Sequence, residues 1–482
     1  MPARSAVDAV VIGSGPNGLA AAITLARQGL EVSVVEGRST PGGGLRTAEL
    51  TLPGFRHDVC SAIHPLGMAS PFLQSLDLAA HGVRWIHPEF PLVQPLDGGG
   101  AIVQERSVRA TAERLGRDRK AYMGLMEPLV DSAPHLYETL LGPLQIPKHP
   151  FSLIRFGLRA LLSADQLAKL SFRTPEARAL LAGHGAHSIL PLEAPGTAAF
   201  AMMLAISAHA VGWPVAERGS QAIADALVSI LEALGGRVIC DTPVRKLEDL
   251  PRARVYLFDT SPKVMESICG DRLPENYRAG LRRFRHGPAA FKVDWALSGP
   301  IPWSNEAARR TACLHIGPTF GEIAESERFA WQGKISDRPF LIVAQQSVVD
   351  LTRAPAGKHT GWGYAHVPNG SNEDALARIE SQIERFAPGF RDLILARHVT
   401  NPAAMEAYNP NYVGGDIAGG VQDLAQLYAR PVARLDPYST PARDIFICSA
   451  STPPGGGVHG MCGYHAARSA LRRFGIKAAR PL

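Results

Sequence analysis

The sequence predicts an α/β protein whose parallel-sheet domain is discontinuous, interrupted by a helical insertion and by an α+β domain. Three observations predict it. An apolar run, a glycine turn, an Ala-rich helical pattern and a second apolar run follow one another over residues 8–35. The same strand–glycine loop–helix grammar closes the chain, from Asp444 to Phe474. Between them lie a mostly helical stretch and a stretch of short strands without regular βα alternation, which suits a mixed or antiparallel sheet. At 482 residues the chain is too long for one ordinary core.

Asp8–Ile12 reads as the first strand and runs into Gly13-Ser14-Gly15-Pro16-Asn17-Gly18, a G-x-G-x-x-G. Leu19, Ile23, Ala26 and Leu30 then share one face of a helix, and Gly29 ends it. Val32–Val35 is the next strand, followed by Glu36, eighteen residues beyond Gly18. In such a unit Gly13 allows the tight turn, Gly15 lets a pyrophosphate approach the backbone, and Gly18 lets helix and strand pack. The helix start, opened by Pro16, offers the free N–H groups of Asn17 and the residues after it and a positive dipole end. Glu36 can accept from the ribose hydroxyls of an adenosine. The whole is a dinucleotide site; the bland alternative is a glycine turn used only for packing.

Farther on, Trp85–Glu105 is strand-like, with Asp97–Gly100 as a hairpin turn. Ser107 to about Phe172 reads as helices, and Thr174-Pro175 caps and opens another. Phe151, Leu153, Ile154, Phe156, Leu158, Leu161 and Leu162 are interleaved with Arg155 and Arg159. Two readings stand: a membrane-surface helix, or, preferred here, a core helix with two solvated arginines. Ala198–Pro214 comes nearest to a membrane span, but it holds His209 and ends in Gly-Trp-Pro, so it reads as a buried helix. Near Gly219 the α/β grammar returns. Ser220 is placed to cap a helix with Ile223, Leu227, Ile230, Leu231 and Leu234 on one face; strands Val238–Cys240 and Val255–Phe258 follow, and Ser261-Pro262 opens a further helix. Strands are expected at Phe291–Leu297, Ala312–Ile316, Phe340–Ala344 and Trp362–Val367, with a helix carrying Leu376, Ile379, Ile383 and Phe386. The domains expected are 1–75, 215–285 and 430–482 for the nucleotide, 76–106 and 286–429 for a substrate, and 107–214 as the helical insertion.

Composition narrows the function. Hydrophobic residues are 46% and charged residues 20%, as in a well-packed globule. The net charge, 50 − 44 = +6, is mild, and no dense basic block carries interleaved aromatics. Nucleic acid is therefore not expected, while weak attraction to an anionic membrane is compatible. The six cysteines are scattered and form no C-x-x-C, which speaks against zinc ribbons and dithiol redox motifs and for a reducing, cytoplasmic compartment. No signal-peptide pattern precedes the first strand. His184 and His187 are spaced for a metal pair on a helix, but no third ligand is evident and no metal is expected.

Glu36-Gly37-Arg38 followed by Pro41-Gly42-Gly43-Gly44-Leu45-Arg46 resembles the second flavin signature of glutathione-reductase-like Rossmann FAD proteins of the amine oxidase and carotenoid desaturase type. Gly54–Asp58 with His64-Pro65, Gly212-Trp213-Pro214, Thr319–Ile323, Gly414–Ile417 and Pro454–Val458 extend the resemblance to phytoene-desaturase-like oxidoreductases over nearly the whole chain. The branch is similar to the pyridine nucleotide-disulfide oxidoreductase domain-containing protein 2 type. The resemblance implies FAD held by Gly13, Gly15, Pro16, Asn17 and Gly18 at the pyrophosphate and by Glu36 at the ribose. Gly37, Arg38, Gly42, Gly43, Gly44, Leu45 and Arg46 would line the way to the ring, and Val244 would meet the adenine. Ser449, Ser451, Gly456, Gly457 and Val458 would lie at the ribityl chain and the pyrimidine edge.

Two departures bear on chemistry. Gly44 stands where many relatives have Arg, and Ala450-Ser451 where amine oxidases commonly place Asp. The second favours the desaturase branch. Cys462 invites a covalent flavin link, but its spacing does not match the attachment motif, so a packed thiol is expected. Outside the two glycine loops near the chain ends no G-x-G-x-x-G follows a strand, so no separate NAD(P)H domain is visible. The expected activity is hydride transfer between flavin N5 and an apolar substrate such as a polyene, retinoid or lipid, with peripheral membrane contact. A flavin amine oxidase and a flavin-bound interaction protein without turnover remain as alternatives. His64 and His459 are the candidate proton-transfer residues, each weighed against a purely structural role.

Overall fold

A computed structural model describes residues 7–476. Strand β1 (Val7–Ile12) leads through the glycine turn into helix α1 (Pro16–Ala26) and strand β2 (Val32–Val35). Strands β3 (Leu92–Pro95) and β4 (Ala101–Gln104) form the expected hairpin across the Asp97–Gly99 turn. A helical stretch follows, with α2 (Arg119–Asp131), α3 (Pro150–Ala160), α4 (Pro175–Gly185) and α5 (Thr197–Ala210). Thr174 caps α4 by accepting from the Ala177 N–H. Helix α6 (Gln221–Ala233) leads to β5 (Arg237–Ile239) and β6 (Ala253–Phe258). Then come β7 (Ala289–Leu297), β8 (Cys313–Ile316), β9 (Leu341–Ala344), β10 (His359–Val367) and β11 (Ile394–Thr400). The chain closes with β12 (Ile445–Ile447) and α7 (Met461–Arg473).

Two sheets result. The first is wholly parallel, in the order β12-β6-β1-β2-β5, so it is built from the start, middle and end of the chain. Its central strands β1 and β2 are almost fully buried runs rich in Val, as a sheet covered on both faces requires, whereas edge strand β5 is largely exposed. The second is mixed, in the order β11-β7-β10-β9-β8-β3-β4, with only the β3–β8 pair parallel. Its strands come from residues 92–104 and 289–400.

The two chain ends meet at α1 and α7. A Cβ on Gly463 would lie 1.7 Å from the Asn17 carbonyl oxygen, so only glycine lets the closing helix pack against the start of α1. Ala20, Ala21 and Ala22 of α1 are all wholly buried, so the helix is covered on more than one side.

Four expectations need correction. Leu30 lies beyond α1, which ends at Ala26 because Gly29 turns the chain at φ +77°. Ser220 does not cap α6; its hydroxyl is used elsewhere, as described below. Edge strand β11 went unanticipated, because its Arg397 and His398 break an apolar run. Helix α3 is not a core helix. Phe156 is buried, but Phe151 is 86% exposed and Leu158 71%, and nearby Ile146 is 93% exposed. Among the described residues no helix is long and apolar enough to cross a membrane.

Candidate cofactor and substrate site

A cavity of about 640 Å³ runs from the C-terminal ends of β1 and β2 to the face of the mixed sheet. It begins against Thr242, Pro243 and Val244, passes the Gly13–Asn17 turn, and continues beneath Ser449–Ser451 to Gly457 and Val458. Ligand clefts in open parallel sheets lie beyond the carboxyl ends of the strands, and this one does too.

The first motif forms its floor. Gly13 adopts φ +101°, and a Cβ there would stand 2.8 Å from the Asp259 carbonyl oxygen. A Cβ on Gly18 would meet the Gly13 oxygen at 2.1 Å, so Gly18 serves helix–strand packing as expected. Glu36 is locked in place by Ser14, whose hydroxyl and N–H both donate to Oε2, and by the Arg38 N–H on Oε1. Arg46 pairs with Glu36 at 3.3 Å and donates to the Thr40 carbonyl and the Tyr408 hydroxyl. The Arg38 guanidinium turns away, to the Ala407 and Tyr408 carbonyls.

Most of the anticipated positions converge. Gly13, Gly15, Pro16, Asn17, Glu36, Gly37, Arg38, Gly43, Gly44, Arg46, Val244, Ser449, Ser451, Gly457 and Val458 all border the cavity. Gly18, Gly42, Leu45 and Gly456 stand behind it and shape the turns; a Cβ on Gly456 would strike the Ala418 carbonyl at 2.6 Å. Gly44 is explained by Tyr412, whose hydroxyl lies 2.6 Å from where its Cβ would be. Ala450 borders the cavity and packs on Gly419, where an added Cβ would lie 2.8 Å from its own, and the Ser451 hydroxyl donates to the Gly419 carbonyl.

The two candidate histidines end differently. The His64 ring borders the cavity, but Ser220 donates its proton to the Ser61 carbonyl and so must accept from His64 Nε2–H, at 2.9 Å. His64 Nδ1 is sealed and unpartnered, and burial holds the ring down to about 4. His459, expected beneath the ring, does not reach the cavity; its Nδ1 accepts from the Met461 N–H at the start of α7. Neither ring presents a free nitrogen to the cavity. Cys462 is a packed thiol, with Sγ 3.4 Å from the Gly455 carbonyl and no exposure.

Several important residues escaped the sequence reading. Asp259, at the end of β6, accepts the Gly18 N–H at 2.8 Å, and a Cβ on Gly15 would lie 2.6 Å from its Oδ2. Burial pushes its carboxyl up to about 7, opposed by the Gly18 N–H. On the sheet face, Lys292 pairs with Asp294 at 2.5 Å and lies 5.3 Å from the centre of the Trp362 ring. His57 stands 3.6 Å from Asp294, and the buried Arg353 bridges Asp58 and Asp350 at 2.9 and 2.8 Å. The Tyr408–Tyr412 segment closes the cavity over Gly43. Of these groups Asp259, Lys292, Trp362 and Tyr408–Tyr412 border the cavity, brought there by the pairing of β6 with β1, by the mixed sheet and by the seating of the 400s over the 40s, while His57, Asp58, Asp294, Asp350 and Arg353 stand behind it.

The cradle fits a dinucleotide. Gly13, Gly15 and Gly18 leave no room for a Cβ, Glu36 is fixed at the end of β2, and the cavity continues far beyond one nucleotide toward Gly457. A family model of an NAD(P)-binding Rossmann-like domain matches residues 11–76. The chain is 25% identical to the mouse (Mus musculus) pyridine nucleotide-disulfide oxidoreductase domain-containing protein 2, over 96% of this chain and 93% of that one. It is 24% identical to a lycopene-forming phytoene desaturase of Paracoccus sp., over 95% and 96% of the two chains. Among solved structures, putrescine oxidase bound to putrescine shares the fold, with TM-score 0.62 and 17% identity, covering 98% of this chain and 99% of that one. The fold, the split cradle and the relatives together show an FAD-dependent oxidoreductase that is similar to the carotenoid desaturases and shares the fold of the amine oxidases.

Proposed function

We propose that the chain desaturates or saturates a lipophilic substrate, exchanging hydride between a substrate carbon and FAD. One observation carries the reading. The part of the cavity beyond the cradle is walled by Leu66, Leu204, Trp213, Ile342, Trp362 and Tyr364, and so is largely apolar. When bound, FAD supplies the two-electron hydride chemistry. The chain's own groups orient and dehydrate. Gly13–Gly18, Glu36 and Arg46 hold the nucleotide end, while the sheet face and α5 exclude water from the substrate end.

Lys292 weighs against the amine oxidase alternative. It occupies the face of Trp362, where an aromatic wall would otherwise receive a cationic amine. A cation already seated there disfavours a second.

The exposed apolar surface of α3 supports peripheral contact with an anionic bilayer. Ile146, Phe151, Leu158 and Leu161 project to solvent beside Arg155 and Arg159. None of Phe151–Leu162 borders the cavity; α3 packs on α5, whose Leu204 does. A bilayer would thus meet the outer side of the wall that the substrate meets from within.

The test is an anaerobic one. The FAD-loaded protein is mixed with a panel of polyenes, retinoids and unsaturated lipids, and in parallel with primary and secondary amines, while the oxidised-flavin absorbance is followed. Bleaching by a lipophilic compound and not by amines is expected; bleaching by amines alone overturns the reading.

A further inference from the structure

We propose that the substrate end of the cavity holds a subsite for an uncharged, oxygen-bearing group, a hydroxyl or carbonyl, received by His187 and Tyr364. The proposal rests on the lipophilic-substrate reading and specifies its substrate class. The sequence offered His187 only as half of a metal pair with His184. In the structure the two part: His184 Nε2 lies 2.7 Å from the Gln104 Oε1, whereas His187 borders the cavity with its Nε2 2.9 Å from His315 Nε2.

Two imidazoles joined through one hydrogen bond have a definite logic. Desolvation drives His187 down to about 3 and His315 well below the ordinary imidazole value, so both rings are neutral and each carries one N–H. One N–H lies between the rings. The other belongs to one of the outer nitrogens, His315 Nδ1 or His187 Nδ1. His315 Nδ1 is sealed and unpartnered. A Cβ on Gly183 would lie 2.6 Å from it, so a glycine Cα–H is directed at that nitrogen. A Cα–H complements a lone pair and opposes an N–H. Gln94 Oε1, 3.1 Å from the same Cβ position, makes no hydrogen bond with this nitrogen, so a sealed N–H there would lack an acceptor and cost about 1–3 kcal/mol. The proton therefore sits on His187 Nδ1, and His315 donates to His187 through Nε2. His187 Nδ1 makes no hydrogen bond among the described residues and, unlike His315 Nδ1, is not sealed. It is a neutral donor at the cavity wall.

A second group lies in the same row of the sheet. His315 pairs with Ile342, and Ile342 with Tyr364, so Tyr364 projects from the same face two strands away, roughly 10 Å along the row at ordinary strand spacing. Tyr364 borders the cavity, and its hydroxyl makes no hydrogen bond among the described residues and is not sealed. The next residue in the row is Lys292, already committed to Asp294. The substrate end thus offers a neutral donor and a hydroxyl, with no free cation to attract a carboxylate and no free carboxylate to attract an ammonium. An oxygen with a lone pair is what this arrangement receives.

The experiment compares decanol, decane and decylamine as ligands of the FAD-loaded full chain, read by tryptophan fluorescence and by perturbation of the flavin absorbance. The wild type is expected to bind decanol roughly tenfold more tightly than decane, the worth of about one neutral hydrogen bond, and decylamine more weakly than decanol. His187→Phe should abolish the advantage of decanol and leave decane binding unchanged, while His187→Gln, which keeps a donor, should restore part of it. His315→Phe, which removes the ring that orients His187, should weaken decanol alone. Retained flavin absorbance verifies that each variant is folded. Equal binding of decanol and decane by the wild type, an undiminished preference in His187→Phe, or a preference for decylamine overturns the subsite. Failure of all three to bind overturns the lipophilic-substrate reading as well.

Discussion

Replacing Asp259 by asparagine should change how both stability and FAD affinity depend on pH. The carboxyl is buried at the end of β6, against the Gly18 N–H, and its pKa is raised from 3.8 to about 7, chiefly by burial. Raised means that the folded chain binds this proton more tightly than the unfolded chain. Its contribution to stability is therefore full below 3.8 and is lost as pH climbs toward 7. A difference of about three units corresponds to a loss on the order of 4 kcal/mol by neutral pH, of which about 2–3 kcal/mol falls between roughly pH 5 and pH 8. The asparagine would still accept the Gly18 N–H through its amide oxygen, without titrating. Urea unfolding of both proteins across that interval should show the wild type losing stability by about this margin relative to Asp259→Asn. The same carboxyl faces the turn that receives the cofactor pyrophosphate, so anionic FAD should demand the protonated form. Affinity for FAD should then fall about tenfold per pH unit above neutrality in the wild type, and less steeply in the variant. Parallel pH profiles for the two proteins, in both assays, would refute the assignment.

Other outcomes follow from particular contacts. Gly463→Ala drives a methyl group into the Asn17 carbonyl; it should cost at least about 1–3 kcal/mol through overpacking and reduce FAD retention, as read by melting temperature and bound flavin. Gly124→Ala, in α2 with open space around it, should instead stabilise by about 0.5–1 kcal/mol. Phe151→Ser combined with Leu158→Ser should lower sedimentation with vesicles rich in anionic lipid and leave the melting temperature nearly unchanged, because both side chains are exposed. Arg353→Leu should destabilise by about 3–5 kcal/mol in denaturant titration, since it strands the buried Asp58 and Asp350 carboxylates.

The cradle was legible because its signals are local. Residues 8–47 carry strand, turn, helix, strand and acid within one βαβ unit, and the Pro453–Val458 loop repeats that grammar at the other end. The β3–β4 hairpin could be read from Asp97–Gly100, and α4 from Thr174-Pro175. What escaped was set by pairing over long separations. Asp259 enters the turn only because β6 lies beside β1, with Phe258 opposite Ile12. His187 and His315 are 128 residues apart and meet where α4 ends over β8. Lys292, Tyr364, Ile342 and His315 look unrelated in sequence and become one row through the register of four strands. Helix α3 was misread for a different reason. An amphipathic pattern states that one face is apolar; it does not state whether protein or another phase covers that face.

The central claim is a single FAD site assembled from both ends of the chain, and titration of the flavin-free protein with FAD tests it most directly. The account predicts one FAD per chain with a perturbed flavin spectrum, and loss of binding in both Gly15→Val, at the first motif, and Gly457→Val, at the last. Binding of NADH or NADPH in place of FAD, or flavin binding that survives either substitution, would contradict it.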